Sequence, residues 1–290
     1  MAKLDTATPR AAYYQLLQER CLDLINRING VVGLSFRDLT SGVEFFRLPD
    51  ASFTTASSIK IPILMALFNA EQEGQFSLTD RVTYDQTKHV AGSGVLQCLT
   101  DTVEMSIRDL ARLMIHLSDN AATNMCIDLV GFEYVNAMLA GLGMHGTILQ
   151  RKMIDSEAAL NGRENVSTPR DFLEIMTLLY RGAFISETVC EHILAIMAEH
   201  PKGLFGECSG VLPSGSKVAN KPGGLDGVAT DVGLIQIPNR PFVFVVMGNY
   251  LHDTNDPALT ELVKTVYRFQ AQLANSTEFG RQLPLEMFTR

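Results

Sequence analysis

Residues 57–68 read SSIKIPILMALF, with Ser57 and Lys60 three positions apart at the start of an apolar run. Side chains three apart on a helix share one face, with Cβ atoms about 5–6 Å apart, so the lysine amine can reach the serine hydroxyl. A serine becomes a good nucleophile when a neighbouring base takes its proton. A lysine can be that base if desolvation or nearby positive charge lowers its pKa. Pro62 removes one helical N–H donor and predicts an irregular first turn.

The same Ser/Lys spacing occurs a second time, at Ser214 and Lys217. That copy lies in a Gly/Ser turn, where nothing fixes the serine relative to the lysine. For the first copy, the alternative is a helix-capping Ser57 followed by a solvated Lys60. The buried helix predicted after Ser57 distinguishes the two copies, but the spacing alone does not decide between capping and catalysis.

Two further segments carry side chains suited to chemistry. Ser118–Asn120 (SDN) follows a predicted helix, and its hydroxyl and carboxamide could relay a proton and hold a substrate amide. Residues 221–224 (KPGG) end one predicted strand and begin a turn, where Lys221 could project into a cleft and a glycine N–H could face an oxyanion. Each segment taken singly is also ordinary turn chemistry.

Strand-like patterns occupy both ends of the chain, and helical periodicity runs between them from Ser57 to about Met197. This order predicts an α/β (α+β) fold in which an antiparallel sheet of about five strands is flanked by helices from both termini. We expect a discontinuous sheet domain, 1–53 and 207–290, an inserted all-helical domain, 54–206, and an active site in the cleft between them. The predicted strands are 31–36, 43–48, 216–220, 227–237 and 241–249, and the terminal helices are 11–28, ended by Gly30, and 257–273.

The composition favours a small or uncharged partner. The 290 residues carry a formal charge of -8, and no Lys/Arg stripe offsets repulsion by phosphates, so nucleic acid is not expected as a partner. No apolar run approaches the roughly 20 residues that span a bilayer, and no export signal is visible at the N-terminus. Five scattered cysteines and six histidines without an HxxxH spacing predict neither a disulfide framework nor a metal site, and no cofactor is expected. We expect a monomer.

Taken in order, these segments resemble the S-x-x-K, S-D-N and K-T-G motifs of class A β-lactamases and of related penicillin-binding proteins. The longer string SDNAATN, 118–124, and GSGVL, 92–96, are also similar to the class A pattern. The resemblance implies that Ser57 attacks the β-lactam amide, assisted by Lys60 or by Glu157 through a water, and that Ser118 passes a proton to the leaving nitrogen. It also implies substrate binding by Asn120, Lys221, Gly223 and Gly224, with the backbone N–H groups of Ser57 and Gly224 binding the carbonyl oxygen.

Residues 157–161 read EAALN, which is similar to the E-x-x-L-N string of the family's loop at the cleft floor. The resemblance implies that Glu157 activates the water that hydrolyses the acyl-enzyme and that Asn161 helps to hold this water. The alternative is a surface glutamate on a short helical turn. The resemblance further implies a periplasmic or secreted protein, but the absence of a visible export signal leaves the compartment open, with a cytoplasmic location as the alternative.

Three departures from the family pattern leave other functions open. The stretch from Asn161 to Thr168 is short and Asp155 stands where the family loop usually has an arginine, so the loop must be held differently. Pro222 replaces a hydroxyl residue, and the strand around Thr230 offers no arginine for a substrate carboxylate. A peptidase, esterase or amidase acting on D-amino-acid peptides or small esters is one alternative. A penicillin-binding or sensor protein that acylates and stops is the other.

Overall fold

The computed structural model describes residues 8–284 and contains one five-stranded antiparallel sheet with helices on both faces. The nine strands are β1 Val31–Asp38, β2 Glu44–Arg47, β3 Phe53–Thr54, β4 Arg81–Tyr84, β5 Val103–Ser106, β6 Val166–Ser167, β7 Lys217–Leu225, β8 Val228–Ile237 and β9 Arg240–Asn249. The ten α-helices are α1 Pro9–Ile25, α2 Lys60–Gln72, α3 Ile107–His116, α4 Asn120–Val130, α5 Phe132–Gly141, α6 Ser156–Leu160, α7 Pro169–Tyr180, α8 Glu187–Ala198, α9 Gly203–Glu207 and α10 Pro257–Ala274. These counts refer to the described part of the chain.

The sheet is assembled from both ends of the chain, as predicted. Its strand order is β2-β1-β9-β8-β7, and every neighbouring pair is antiparallel. One face packs against α1 and α10 in a core that contains Phe36, Phe244 and Tyr267. Side chains on the other face, such as Val232 and Val245, join the core of the intervening helices. The sheet is therefore covered on both faces. The intervening helices, which pack on the face that carries Val232 and Val245, include the SSIK segment at the start of α2.

The intervening region is mainly but not entirely helical. Within it, β4 pairs with β5 as a short antiparallel ladder, and β3 pairs with β6. The β-branched residues Val82 and Val103 suit these short ladders better than a helix. The expectation that residues 54–206 are all-helical is therefore wrong in this respect, whereas the division at 53/54 and 206/207 stays a prediction. The portions of the sheet domain before 8 and after 284 lie outside the described residues.

The bounds of two elements, α1 and β7, differ from the predicted ones. Helix α1 begins earlier, because the Thr8 side chain caps it by accepting a hydrogen bond from Ala11 N at 3.2 Å and Pro9 occupies its first turn. It also ends at Ile25, so Gly30 does not terminate it. The KPGG segment does not form a turn: β7 continues through it to Leu225. Pro222 is tolerated there because β7 is an edge strand of the sheet.

Helix starts within the intervening region follow the sequence closely. The Ser106 hydroxyl accepts a hydrogen bond from Asp109 N at 3.0 Å, and Thr168 caps α7 in the same way through Asp171 N at 3.0 Å. The first of these caps fixes the start of α3, the helix that leads into the SDN segment. None of the helices among residues 8–284 combines the length and the apolar character needed to cross a membrane.

Candidate active site

Ser57 lies in a 3-10 turn, Ala56–Ile59, directly before α2, which is the irregular start that Pro62 predicts. Its Oγ lies 3.0 Å from the Nζ of Lys60 and 2.8 Å from the Oγ of Ser118. Lys60 Nζ and Ser118 Oγ are themselves 2.9 Å apart. The three groups therefore form a closed triangle of hydrogen-bond contacts, although Ser118 is far from the other two in sequence.

Lys60 is fully buried, and this environment changes its protonation. Burial lowers the pKa of its amine well below the usual value, and the positive charge of Lys221 lowers it further. The amine also lies 2.8 Å from the backbone oxygen of Ser118 and 3.2 Å from Oδ1 of Asn120. A neutral amine that directs its two hydrogens to these oxygens keeps its lone pair for the Ser57 hydroxyl. The arrangement suits a general base.

The SDN segment is a strained turn held by its aspartate. Ser118 has a φ of 52°, in the left-handed region, so its backbone conformation is uncommon for a non-glycine residue. The Asp119 carboxylate accepts hydrogen bonds from Val95 N at 2.7 Å and Leu96 N at 2.9 Å, and it caps α4 through Ala122 N at 3.0 Å. The GSGVL loop and the start of α4 are thus tied to the same side chain, which fixes the position of the Ser118 hydroxyl.

Lys221 stands on β7 and faces the same turn. Its side chain is buried, and burial lowers the pKa of its amine to about 8, with Asp231 opposing the shift and nearby Lys202 adding to it. Gly223 passes close to the nucleophile: a Cβ built there would lie 2.7 Å from Ser57 N. Only glycine allows this approach without movement of the turn.

A buried hydroxyl network that the sequence motifs did not indicate joins β7, β8 and the 3-10 turn. Ser58 Oγ donates to the backbone oxygen of Lys221 at 3.0 Å and lies 2.7 Å from Thr230 Oγ1. Thr230 Oγ1 in turn lies 3.0 Å from the backbone oxygen of Thr55. In the sequence, Thr230 stood out only as a position without an arginine. Its hydroxyl instead helps to hold the turn that presents Ser57.

Two adjacent cavities open at Ser57. One, of about 290 Å³, is lined by Ser118, Lys221, Gly223, Gly224, His116, His200 and Lys202 among others. The other, of about 400 Å³, also reaches Gly224 and is lined by Asn120, Arg151, Asp155, Glu164 and Asn165 among others. Ser57, Ser118, Asn120, Lys221, Gly223 and Gly224 are therefore brought together at one place, as the motifs predicted.

Glu157 and Asn161 are not brought to this place. Glu157 lies on the exposed side of α6, and neither residue lines the two cavities. The Asn161 amide donates to the backbone oxygen of Glu157 at 2.9 Å, which is a helix-end contact. The geometry gives no support to the predicted water-activating role of this pair, because Glu157 is exposed and lines neither cavity at Ser57.

Asn165 and Arg151 hold the loop between α6 and β6. The Asn165 side chain accepts hydrogen bonds from the backbone N–H groups of Gln150 and Arg151, at 2.7 and 3.0 Å, and donates to the Arg151 oxygen at 3.0 Å. The Arg151 guanidinium lies 2.9 Å from a carboxylate oxygen of Glu164. These contacts explain how the short loop is held without the family arginine, and they put the Glu164 carboxylate, not that of Glu157, at the cavity.

Comparisons with known proteins agree with the fold. The model of the β-lactamase enzyme family matches residues 16–270. Among curated proteins, an imipenem-hydrolysing β-lactamase of Enterobacter cloacae is 26% identical over 73% of this chain and 74% of its own, and β-lactamase ROB-1 of Haemophilus influenzae is 24% identical over 89% and 86%. The fold is similar to that of the class A β-lactamases, since an ancestral class A β-lactamase superimposes with a TM-score of 0.77 at 24% identity, covering 86% of this chain and 98% of its own.

Solved structures extend the comparison. A β-lactamase from Sphaerobacter thermophilus superimposes with a TM-score of 0.81 at 32% identity, covering 90% of this chain and 97% of its own. The protein described as PBP-A superimposes with a TM-score of 0.78 at 30% identity, covering 89% and 95%. The chain belongs to the β-lactamase enzyme family.

Proposed function

We propose that this protein is a serine hydrolase that opens β-lactams through an acyl-enzyme on Ser57. The observation that carries the proposal is the triangle in which Ser57 Oγ lies within 3.0 Å of both Lys60 Nζ and Ser118 Oγ. A capping serine with a solvated lysine would not produce it, since Lys60 is fully buried. The resemblance to proteins named β-lactamases supports the choice of substrate class.

Acylation follows from the contacts of these groups. The neutral Lys60 amine takes the Ser57 proton as Oγ bonds to the lactam carbonyl carbon. The carbonyl oxygen, now negative, accepts hydrogen bonds from the backbone N–H groups of Ser57 and Gly224. The lactam C–N bond then breaks, and Ser118 delivers a proton to the nitrogen while recovering one from Lys60, to which it is 2.9 Å away. An ester on Ser57 and a ring-opened amine result.

Substrate docking relies on lysines. Lys221 and Ser118 line the cavity where a carboxylate would bind, and Pro222 supplies no hydroxyl donor. Lys202, which belongs to no motif and was not predicted, lines the same cavity. The Asn220 amide donates to the Lys202 backbone oxygen at 2.7 Å and so holds it beside β7. We assign to Lys202 part of the role of the missing arginine.

Slow hydrolysis of the ester is the second part of the proposal. With Glu157 exposed on α6, no carboxylate at the predicted position can activate water next to Ser57. Glu164, Asp155 and Asp226 line the cavity; Arg151 engages the Glu164 carboxylate, the Asp155 carboxylate caps α6 through Ala158 N, and Asp226 is exposed. An ester shielded from a free base hydrolyses slowly. This favours, as a second candidate, a penicillin-binding protein or D-amino-acid peptidase; a point mutant of PBP-A is described as an acyl-enzyme complex with penicillin-G.

Rapid mixing with a chromogenic cephalosporin, followed by intact-protein mass spectrometry, tests both parts. We expect a burst of about one equivalent, a slower steady state and a mass adduct that maps to Ser57. Ser57→Ala should lose the burst, while Ser214→Ala, which changes the exposed second S-x-x-K copy, should keep it. Glu157→Gln should leave the steady state unchanged. An adduct that persists in Ser57→Ala would refute the acyl-enzyme, and a strongly impaired Glu157→Gln would refute the slow-hydrolysis argument.

The second candidate is tested with a different substrate on the same protein. Release of D-alanine from a diacylated D-alanyl-D-alanine peptide at a rate above that of cephalosporin turnover would make the peptidase the better description. Release in wild type but equally in Ser57→Ala would contradict both candidates.

A further inference from the structure

Three side chains with metal-binding atoms meet where α3 and α8 end. His116 is the last residue of α3, and Glu199 and His200 directly follow α8. One ligand atom of each residue lies within 4.8 Å of the others, and His116 Nε2 is 3.4 Å from a carboxylate oxygen of Glu199. The two imidazole rings have centroids 5.0 Å apart. We propose that these three residues bind a divalent ion of the zinc type at the rim of the cleft.

The spacing suits a small tetrahedral ion. Zinc holds nitrogen and oxygen ligands at about 2.0–2.2 Å, so two ligand atoms on one tetrahedral ion are roughly 3.4 Å apart. His116 and Glu199 already have that separation. His200 is exposed, and a rotation of its side chain can close the remaining gap of roughly 1.4 Å or less. Imidazole and carboxylate ligands are those that zinc prefers beside thiolates.

The surrounding backbone also favours a cation. The helix α3 ends at His116, and α8 ends immediately before Glu199, so the C-terminal ends of two helices lie at the cluster. The C-terminal end of a helix carries a negative partial charge. The six histidines suggested no metal site in the sequence because His116 and His200 lie far apart along the chain, and only the packing of α3 against α8 brings them together.

Two existing contacts compete with an ion. His116 Nε2 lies 2.7 Å from the backbone oxygen of Ile196, and Arg112 forms an ion pair with the Glu199 carboxylate. A bound ion must replace the first contact and is repelled by the Arg112 charge. Removal of that charge should therefore strengthen binding. This effect distinguishes a metal site from a cluster that is merely hydrogen-bonded, in which Arg112 would be a stabilising partner.

The location gives the ion a consequence for the proposed function. His116 and His200 line the same cavity as Ser57 and Lys221. Three protein ligands leave a fourth position open, and an added positive charge at this rim would attract a substrate carboxylate. This consequence rests on the proposed β-lactam chemistry, but binding of the ion itself does not. The proposed ion takes no part in the proton transfers at Ser57.

Isothermal titration of the full chain with zinc sulfate tests binding without any activity measurement, and the visible spectrum of added Co²⁺ reports its coordination. We expect one site that saturates below about 100 μM. His200→Ala and Glu199→Gln should weaken binding about tenfold or more, whereas Arg112→Gln should tighten it about threefold. Circular dichroism and a thermal melt check that each variant is folded.

Matched variants separate this site from zinc uptake elsewhere on the surface. His192→Ala removes an exposed histidine on α8, and Cys98→Ser removes an exposed thiol that could take up zinc; both should bind like wild type. Ser57→Ala should also bind zinc normally, so a failure of the acyl-enzyme hypothesis would leave this test intact. Absence of saturable binding, equal binding by His200→Ala, or weaker binding by Arg112→Gln would each overturn the proposal.

Discussion

Lys60→Met tests the core of the proposed chemistry, because it removes the base and keeps a long, flexible side chain of similar reach. Lys60 is fully buried, so a side chain of similar length is needed to fill its place, and the amine is the group that contacts Ser57 Oγ at 3.0 Å. A general base contributes about 10²–10⁴ in rate. The acylation barrier should therefore rise by about 3–6 kcal/mol, at about 1.4 kcal/mol for each factor of ten.

The assay is the single-turnover rate of acylation by a chromogenic cephalosporin in excess over enzyme. Lys217→Met serves as the matched control, since it makes the same change in the exposed second S-x-x-K copy, and it should acylate at the wild-type rate. Circular dichroism establishes that both variants are folded. If Lys60→Met acylates within about threefold of wild type, Lys60 is not the base, and the geometric argument for the triangle fails.

Three other predictions test neighbouring parts of the structure. Burial lowers the pKa of Lys221 to about 8, so its amine is charged below that pH and neutral above it, and kcat/KM for anionic β-lactams should fall as pH rises through about 8. The Lys202 charge also lowers this pKa, so Lys202→Ala should move the fall to higher pH. An unchanged midpoint in Lys202→Ala would contradict this influence of Lys202 on Lys221. Arg240→Met removes the ion-pair partner that lies 3.0 Å from the fully buried Asp38 carboxylate. The free energy of unfolding, measured by urea denaturation, should fall by about 3–5 kcal/mol. A fall of less than about 1 kcal/mol would argue against a stabilising role of this ion pair. Gly223→Ala should displace the backbone of the nucleophile and reduce acylation about tenfold or more without preventing folding; a wild-type rate would show that the turn adjusts freely.

Much of the fold was predictable because its signals are local. Strand-like patterns predicted the long strands of the sheet, and Ser106 and Thr168 are of the residue types that commonly cap helices, as they do at the starts of α3 and α7. Errors arose where a tertiary contact overrides the local preference. Pro222 and the two glycines that follow it are typical of a turn, yet β7 continues through them. An edge strand tolerates proline, and glycine allows β7 to pass close to the backbone of Ser57.

The residues of the proposed acylation site could also be named from the sequence, since they lie within short motifs whose order along the chain carries information. Residues outside motifs were missed for the same reason. Packing of elements that are distant in sequence brings Lys202 and Glu164 to the cleft and Thr230 to the turn that carries Ser57, and none of the three has a distinguishing neighbour pattern. His116 and His200, which lie at the ends of α3 and α8, were missed for the same reason.

The case of Glu157 shows how a motif can match in sequence and differ in space. Which side of a short helix faces the cleft depends on how the loop around it is anchored. Here Asp155 caps α6 by accepting a hydrogen bond from Ala158 N at 2.9 Å, and Asn165 and Arg151 fix the far end of the loop. With both ends held, a five-residue helix can bury only one face, and Ala158 occupies that face. Glu157, one position earlier, must then point outward. The contacts that anchor the loop therefore keep the Glu157 side chain out of the cleft. For this reason we expect the ester on Ser57 to form efficiently and its hydrolysis to limit turnover.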